Sequence, residues 1–183
     1  MTFEELTRYG NAELDEVHRA GRAPLLADLA GREYCGWNRP AHFSLIGIRK
    51  FVKGFFVPEQ TDPERADEIE GFNIPAIQNG LDGEWLAKHD DDRPKRFGFY
   101  ITRPLRPGER GGRFENSLLL DYAASRRNAT LDPSRFIRDF VVQVRPGDDR
   151  LLLGKAMLAL APGRLVFSNF FLLRLRRRHD WRG

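Results

Sequence analysis

Apolar and polar residues alternate in short runs along most of the chain, and turn signals separate the runs. In the clearest run, residues 95–103, the apolar Phe97, Phe99 and Ile101 occupy every second position. A period of two is typical of a β-strand with one buried face. Asn-Gly, Asp-Gly and Pro-Gly pairs between the runs favour tight turns. The pattern predicts strands over residues 32–37, 51–57, 69–78, 95–103, 114–122, 136–144, 151–160 and 165–175.

The first 30 residues follow a helical period instead. Thr2 and Glu5 have the spacing of a capping box, which predicts a helix that begins at Phe3. Leu14 and Val17 continue an apolar stripe among charged residues before Gly21. Residues 24–30 fit a third short helix, with proline at its start and glycine after it. Two or three short N-terminal helices are therefore expected.

Many short strands with regular turn signals favour an antiparallel sandwich or barrel. We favour the barrel, because several strands are apolar on both faces and closure removes exposed strand edges. Residues 40–48 fit either a ninth strand or a helical turn, so eight or nine strands are expected. The 183 residues suit a single domain, with a helical segment 1–30, a barrel 31–176 and a basic tail 177–183.

Composition narrows the class of protein. A net charge of +4 is too small a bias for a dedicated nucleic-acid binder. The single Cys35 excludes an intrachain disulfide, and the N-terminus lacks the apolar stretch of a signal peptide, which together favour the cytoplasm. No apolar run is long enough for a transmembrane helix. Fourteen phenylalanines favour a thick aromatic core or an apolar pocket.

The first predicted strand and its surroundings suggest a family. Leu29-Ala30-Gly31 leads into Gly36-Trp37, many short strands follow, and the last one ends in arginine. In these features residues 25–176 resemble the calycin group of small lipocalin-like barrels, and uncharacterised bacterial lipocalin-like proteins more than secreted lipocalins. Lipocalins carry Gly-x-Trp on this strand, whereas here Gly36 and Trp37 are adjacent.

The resemblance implies an up-and-down, lipocalin-like barrel that forms a cup for a small, mostly apolar ligand. The resemblance assigns no catalytic residue to this chain. Haem-binding relatives use a histidine ligand, but none of the four histidines falls on such a motif, so no cofactor is expected.

Several polar residues interrupt the apolar strands, and alternate residues of a barrel strand point inward. An ionised side chain that does so must pair or meet a ligand. The candidates for ligand binding are Lys53, Asn73, Tyr100, Asp121, Arg138 and Lys155. Each could instead face solvent or form a structural pair, such as Asp121 with Lys155 or Arg138. Asn116 is a weaker candidate, because it lies on the face of its strand opposite to Asp121.

Three of these residues also suggest a catalytic hypothesis. If Asp121 and Lys155 met in a dry pocket, their pKa values would be coupled and Asp121 could act as a base. Tyr100 could then donate a hydrogen bond to a substrate oxygen. The candidate catalytic residues are therefore Asp121, Lys155 and Tyr100.

Other charged segments are less specific. His89-Asp90-Asp91-Asp92 is better interpreted as a solvated loop than as a metal site, because consecutive carboxylates do not converge easily on one cation. No Cys/His set has zinc spacing, so no metal is expected. Residues 108–113, rich in glycine and arginine, favour a hairpin loop over an anion cradle. The arginine cluster 174–178 allows a weak contact with an anionic surface.

The leading hypothesis is a barrel that binds a small hydrophobic or amphipathic molecule. Two alternatives stay open. One is an isomerase, cyclase or hydrolase on the same barrel that uses Asp/Lys/Tyr acid–base chemistry. The other is a non-catalytic interaction module with a filled barrel. A lumen with converging polar groups favours the first two, and a lumen packed by apolar side chains favours the third.

Overall fold

Eight antiparallel strands form a closed barrel in the computed structural model, which describes residues 1–39, 48–59, 61–62, 66–109, 113–161 and 163–183. Each strand pairs with its neighbours in sequence, and the first strand pairs with the last. The predicted mainly-β, up-and-down barrel with short N-terminal helices is confirmed. Eight strands are present in the described part of the chain, while the ambiguous segment 40–48 lies mostly outside it.

The element bounds agree with the apolar pattern at most positions. The helices are α1 (Phe3–Leu6), α2 (Asn11–Ala20) and α3 (Leu26–Leu29), and a short 3-10 helix spans Pro133–Phe136. The strands are β1 (Arg32–Asn38), β2 (Lys50–Phe56), β3 (Ile69–Pro75), β4 (Phe97–Pro104), β5 (Leu118–Asp121), β6 (Ile137–Arg145), β7 (Asp148–Ala161) and β8 (Arg164–Arg178). The capping box is present, since Glu5 N donates to Thr2 Oγ1 and Thr2 N donates to Glu5 Oε2.

The strand predicted over residues 114–122 is shorter than expected. Residues before Leu118 form a turn, in which Ser117 N donates to the carbonyl of Phe114 at 2.9 Å. Asn116 Nδ2 donates to the carbonyls of His18 (2.8 Å) and Gly21 (3.0 Å) at the C-terminal end of α2. This side chain therefore satisfies orphan helix carbonyls and plays no part in the barrel interior.

The two ends of the barrel differ. At the lower end, where β1 begins and β8 ends, α3 packs against the inner cluster through the fully buried Leu29. At the upper end β1, β3, β5 and β7 finish and β2, β4, β6 and β8 begin. Among the described residues, α3 thus plugs the lower end of the barrel.

Aromatic rings of the inner face lie directly over glycines on the neighbouring strand. A Cβ added at these glycines would meet the partner ring at 2.0–2.4 Å. The three cross-strand pairs are Gly36–Phe51, Gly71–Tyr100 and Gly154–Phe171. The missing Cβ makes room for the ring, so the glycines allow large aromatic side chains inside a narrow barrel.

The outer wall is covered by segments from both ends of the chain. Phe3 and Leu14 from the N-terminal helices are buried in the outer cluster. Trp85, from the connection between β3 and β4, packs edge-on against Phe3 with ring centroids 6.0 Å apart. Trp181 of the C-terminal tail lies 5.0 Å from the ring of Phe72. These covers explain why several strands are apolar on both faces.

Gly154→Ala should destabilise the barrel, because the new methyl group would lie 2.0 Å from the ring of Phe171. We expect the free energy of unfolding in urea to fall by about 2–3 kcal/mol, as for overpacking of a core. Gly10→Ala is the matched control, since its Cβ makes only an ordinary contact at 3.5 Å, and should cost less than about 1 kcal/mol. Equal losses in the two variants would contradict the role given to Gly154.

Candidate functional site

Three polar side chains meet inside the barrel below its upper end. Lys53 Nζ, from β2, donates to the hydroxyl of Tyr122 at 2.7 Å and lies 3.2 Å from Asp139 Oδ2 on β6. Tyr122 OH in turn donates to Asp139 Oδ2 at 3.0 Å. Each of the three residues is at most 4% exposed. Together with Asn73 they are called the buried network below.

Asn73 and Tyr100 complete the surroundings of the lysine. Asn73 Nδ2 donates to the carbonyl of Gly98 at 2.8 Å and approaches Tyr122 OH at 3.4 Å. Gly98 has a φ of +51°, a conformation that favours glycine. The Tyr100 ring centroid lies 4.4 Å from Lys53 Nζ, while the Tyr100 hydroxyl donates to a strand carbonyl at 2.8 Å. The ammonium group is thus held by two hydrogen bonds and an aromatic face.

Burial changes the acid–base properties of the network. Desolvation lowers the pKa of Lys53 and raises the pKa of Asp139, and in each case the charge of the partner opposes the shift. Desolvation also raises the pKa of Tyr122 well above its ordinary value, helped by the nearby Asp139. Burial thus favours the neutral forms of Lys53 and Asp139, whereas their mutual attraction favours the charged forms. Because the two effects oppose each other, the protonation state of the pair is sensitive to any polar group that binds beside it.

The network keeps free acceptor atoms. Both hydrogen bonds to Asp139 end on Oδ2, so Oδ1 has no partner among the described residues. Oδ1 of Asn73 likewise accepts no hydrogen bond there, because the side chain uses only Nδ2. Within the described residues, two acceptor oxygens of the buried network are therefore left without a hydrogen-bond partner.

The interior side chains that keep some exposed surface lie toward the upper end. Phe51, Asn73 and Ala156 each keep 8% of their surface exposed there. Nearer the plugged end, Tyr34, Phe55 and other inner side chains have no exposed surface. A void wide enough for water would leave its lining side chains partly exposed, so the lower part of the lumen is filled.

The predicted site residues divide into two groups. Lys53, Asn73 and Tyr100 come together in the interior, at the network. The other three lie on the outer wall: Asp121 pairs with Arg138, its cross-strand neighbour, at 3.2 Å, and Lys155 binds Asp15 of α2. The hypothesised contact of Asp121 with Lys155 is therefore not formed, because the two side chains bind other partners.

Sequence reasoning missed the two inner partners of Lys53, Tyr122 and Asp139. The available signal was strand alternation: Asp139 shares a face with Val141, and Tyr122 follows Leu120 at the same spacing. It was not decisive because β5 and β6 are apolar on both faces, so hydrophobicity did not separate inside from outside.

The remaining charged motifs serve the outer wall. Asp91 accepts hydrogen bonds from Arg176 and Arg177, and both arginines also bind Glu33. Asp90 Oδ1 accepts two backbone hydrogen bonds of its own loop, so this acidic segment is a structured turn. Within the described ranges no set of three His, Cys, Asp or Glu residues is arranged for a metal. Residues 110–112 of the predicted hairpin loop fall outside the described part of the chain.

Two cavities lie outside the barrel. One of about 590 Å³ lies beside Cys35, Trp85 and Arg174, and one of about 610 Å³ lies beside Asp121 and Arg103. Neither includes a residue of the network. A search of the described helices found none with the length and hydropathy needed to cross a membrane.

The network should behave as a coupled unit. Lys53→Met or Asp139→Leu alone leaves the other group buried without its partner, and should lower the free energy of unfolding by about 3–5 kcal/mol. The double variant removes both charges, and should lose less than either single change. Arg150→Met is the control, because its pair with Asp148 is exposed, and should cost about 1 kcal/mol or less. Additive losses at Lys53 and Asp139 in urea unfolding would show that they are not coupled.

No protein-family model matches the chain, and no curated protein matches it in sequence. The resemblance to the calycin group is therefore supported at one level, the antiparallel architecture of a closed eight-stranded barrel.

Proposed function

We propose that the protein binds a small, largely apolar molecule that carries a neutral hydrogen-bond donor, such as a hydroxyl group. The ligand would lie at the upper end of the barrel, with its polar group on the buried network. One observation supports this proposal above the others: a Lys–Asp–Tyr network in an aromatic interior, with one oxygen on Asp139 and one on Asn73 that accept no hydrogen bond from the described residues.

The charge balance of the site favours a neutral ligand. Lys53 and Asp139 already compensate each other. A carboxylate placed among them would bring an extra, uncompensated charge into a dry site. A hydroxyl group could donate to Asp139 Oδ1 or Asn73 Oδ1 without adding charge.

Apolar side chains beside the network would hold the rest of the molecule. Phe51 and Ala156 are partly accessible, and Phe171 lies close to both Phe51 (6.0 Å between ring centroids) and Lys53. Because the lower lumen is filled, the ligand would occupy the upper part of the barrel. With a single buried cysteine, we place this activity in the cytoplasm.

Native mass spectrometry with 1-dodecanol and dodecanoate as probes tests the proposal. We expect the alcohol to bind and the carboxylate to bind at least about tenfold more weakly, because burying its charge is unfavourable. The double variant Lys53→Met/Asp139→Leu should bind the alcohol at least about tenfold more weakly, because the acceptor on Asp139 is gone, whereas Asp121→Asn on the outer wall should bind it as wild type does. Equal binding of both probes by wild type, or alcohol binding that is unchanged in the double variant, would contradict the proposal.

An enzyme on the same site is the second candidate. Tyr122 OH bonds to both Lys53 and Asp139, and the shifted pKa values of that pair suit proton transfer. The acid–base residues of such an isomerase, cyclase or hydrolase would then be Asp139, Lys53 and Tyr122. The test compares the molecules that co-purify from the host with wild type and with Asp139→Asn. If wild type carries a chemically converted form of the molecule that the variant carries unchanged, the enzyme is favoured.

The third candidate, an interaction module, is supported by the filled lower half of the lumen. It differs from the ligand-binding proposal in one respect: it needs no free oxygen on the network. Absence of binding by either probe, together with no molecule that co-purifies from the host, would favour it.

A further inference from the structure

The rim of the upper end carries exposed apolar side chains. They stand where strands begin or end, and each keeps between 40% and 63% of its surface exposed: Ile48, Ile77, Phe97, Phe136 and Leu160. Exposed side chains of this size occurring singly are ordinary. Here they belong to five different strand ends that the closed topology brings to one end of the barrel.

The hairpin of β7 and β8 extends this rim outward. Pairing between β6 and β7 ends at Leu158, and pairing between β1 and β8 ends at Phe171. Ala159 to Ala161 and the start of β8 at Arg164 therefore project beyond the barrel wall. Leu160 on this projection is 63% exposed. A projecting apolar hairpin is suited to insert into the interfacial region of a membrane rather than to accept a side chain of a partner protein.

Basic side chains stand between the apolar ones. Arg49, Lys95 and Arg164 are exposed at the starts of β2, β4 and β8. The acidic residue at a strand end of this rim, Asp121, is paired with Arg138. The exposed acids Asp82 and Glu84 lie in the connection between β3 and β4, where the carbonyl of Glu84 accepts a hydrogen bond from Lys50 Nζ at the start of β2, and both line the 590 Å³ cavity. Positive charges interspersed with apolar groups complement an anionic lipid surface.

We infer that this rim docks on an anionic membrane surface, with Phe97, Phe136 and Leu160 entering the headgroup region. The rim is defined as Ile48, Arg49, Ile77, Lys95, Phe97, Phe136, Leu160 and Arg164. The biological role of this docking rests on the proposed ligand-binding function. Docking would place the upper end of the barrel against a membrane, which is a source of amphipathic molecules. It differs from the sequence-based expectation for the C-terminal arginines, since Arg176 and Arg177 are bound to Glu33 and Asp91 at the other end.

Vesicle flotation tests the inference, with no ligand added so that docking and ligand binding can fail separately. The probes are vesicles of phosphatidylcholine alone and of phosphatidylcholine with phosphatidylserine. We expect binding to the anionic vesicles, weakened by added salt because exposed charges are screened. Phe97→Ser/Leu160→Ser should lower the partition coefficient between water and vesicles about tenfold or more, because the variant has less apolar surface to bury in the membrane.

Matched controls come from the lower end. Leu25→Ser changes a leucine that is 68% exposed there, and should leave vesicle binding unchanged. Arg164→Glu should weaken binding to anionic vesicles at least about fivefold, whereas Arg178→Glu, the same charge change at the lower end, should have little effect. All these side chains are exposed, so circular dichroism should show folded proteins.

Three results would overturn the inference. The first is no binding of wild type to anionic vesicles. The second is an equal loss in the rim variants and in their lower-end controls. The third is self-association of wild type, measured by light scattering, that Phe97→Ser/Leu160→Ser abolishes while vesicle binding is unaffected, which would make the rim an interface between copies.

Discussion

The barrel is organised around an ion pair that has little contact with water. Lys53 and Asp139 lie 3.2 Å apart with side chains 2% and 5% exposed, and Tyr122 bonds to both. Such a pair loses most of its hydration free energy on folding. The attraction between the two charges offsets this loss only if the geometry of the pair is closely maintained. The aromatic rings around it depend in turn on the glycines of the neighbouring strands, which leave space for them. The interior thus forms one interdependent arrangement.

The two ends of the barrel have different tasks. Helix α3 plugs the lower end, while the C-terminal tail and the N-terminal helices cover the outer wall. These covers fix the strands that carry the network without occupying the upper end. The partly exposed Asn73 of the network and the exposed apolar rim are consequently on the same side of the molecule. The covering segments therefore pack at the lower end and on the wall, and the surfaces proposed for binding lie at the upper end.

The architecture could be predicted from sequence because alternation, capping and turn residues are local signals. The run around Phe97 and the capping box at Thr2 each specify an element without reference to the rest of the chain. Side-chain direction was harder to predict. Lys53, one of the predicted site residues, lies inside the barrel, whereas Arg138 was chosen in place of its inward-facing neighbour Asp139, because a strand that is apolar on both faces does not reveal which face is inside.

Long-range partners were beyond the reach of the pattern. Lys155 binds Asp15, which belongs to a helix 140 residues earlier, and Asn116 caps the same helix. These contacts depend on where α2 crosses the outside of the barrel, which no local signal encodes. The arginines near the C-terminus show the same effect, since an apparently free basic cluster is largely engaged by Glu33 and Asp91.

The most direct test of the central claim is the carboxyl ¹³C resonance of Asp139, assigned with Asp139→Asn and followed against pH with and without 1-dodecanol. A carboxylate buried beside Lys53 with one oxygen free should titrate above its ordinary value of 3.8, because burial raises the pKa of Asp139, and its resonance should shift when the alcohol binds. Titration at or below 3.8 together with no response to the alcohol would contradict the account.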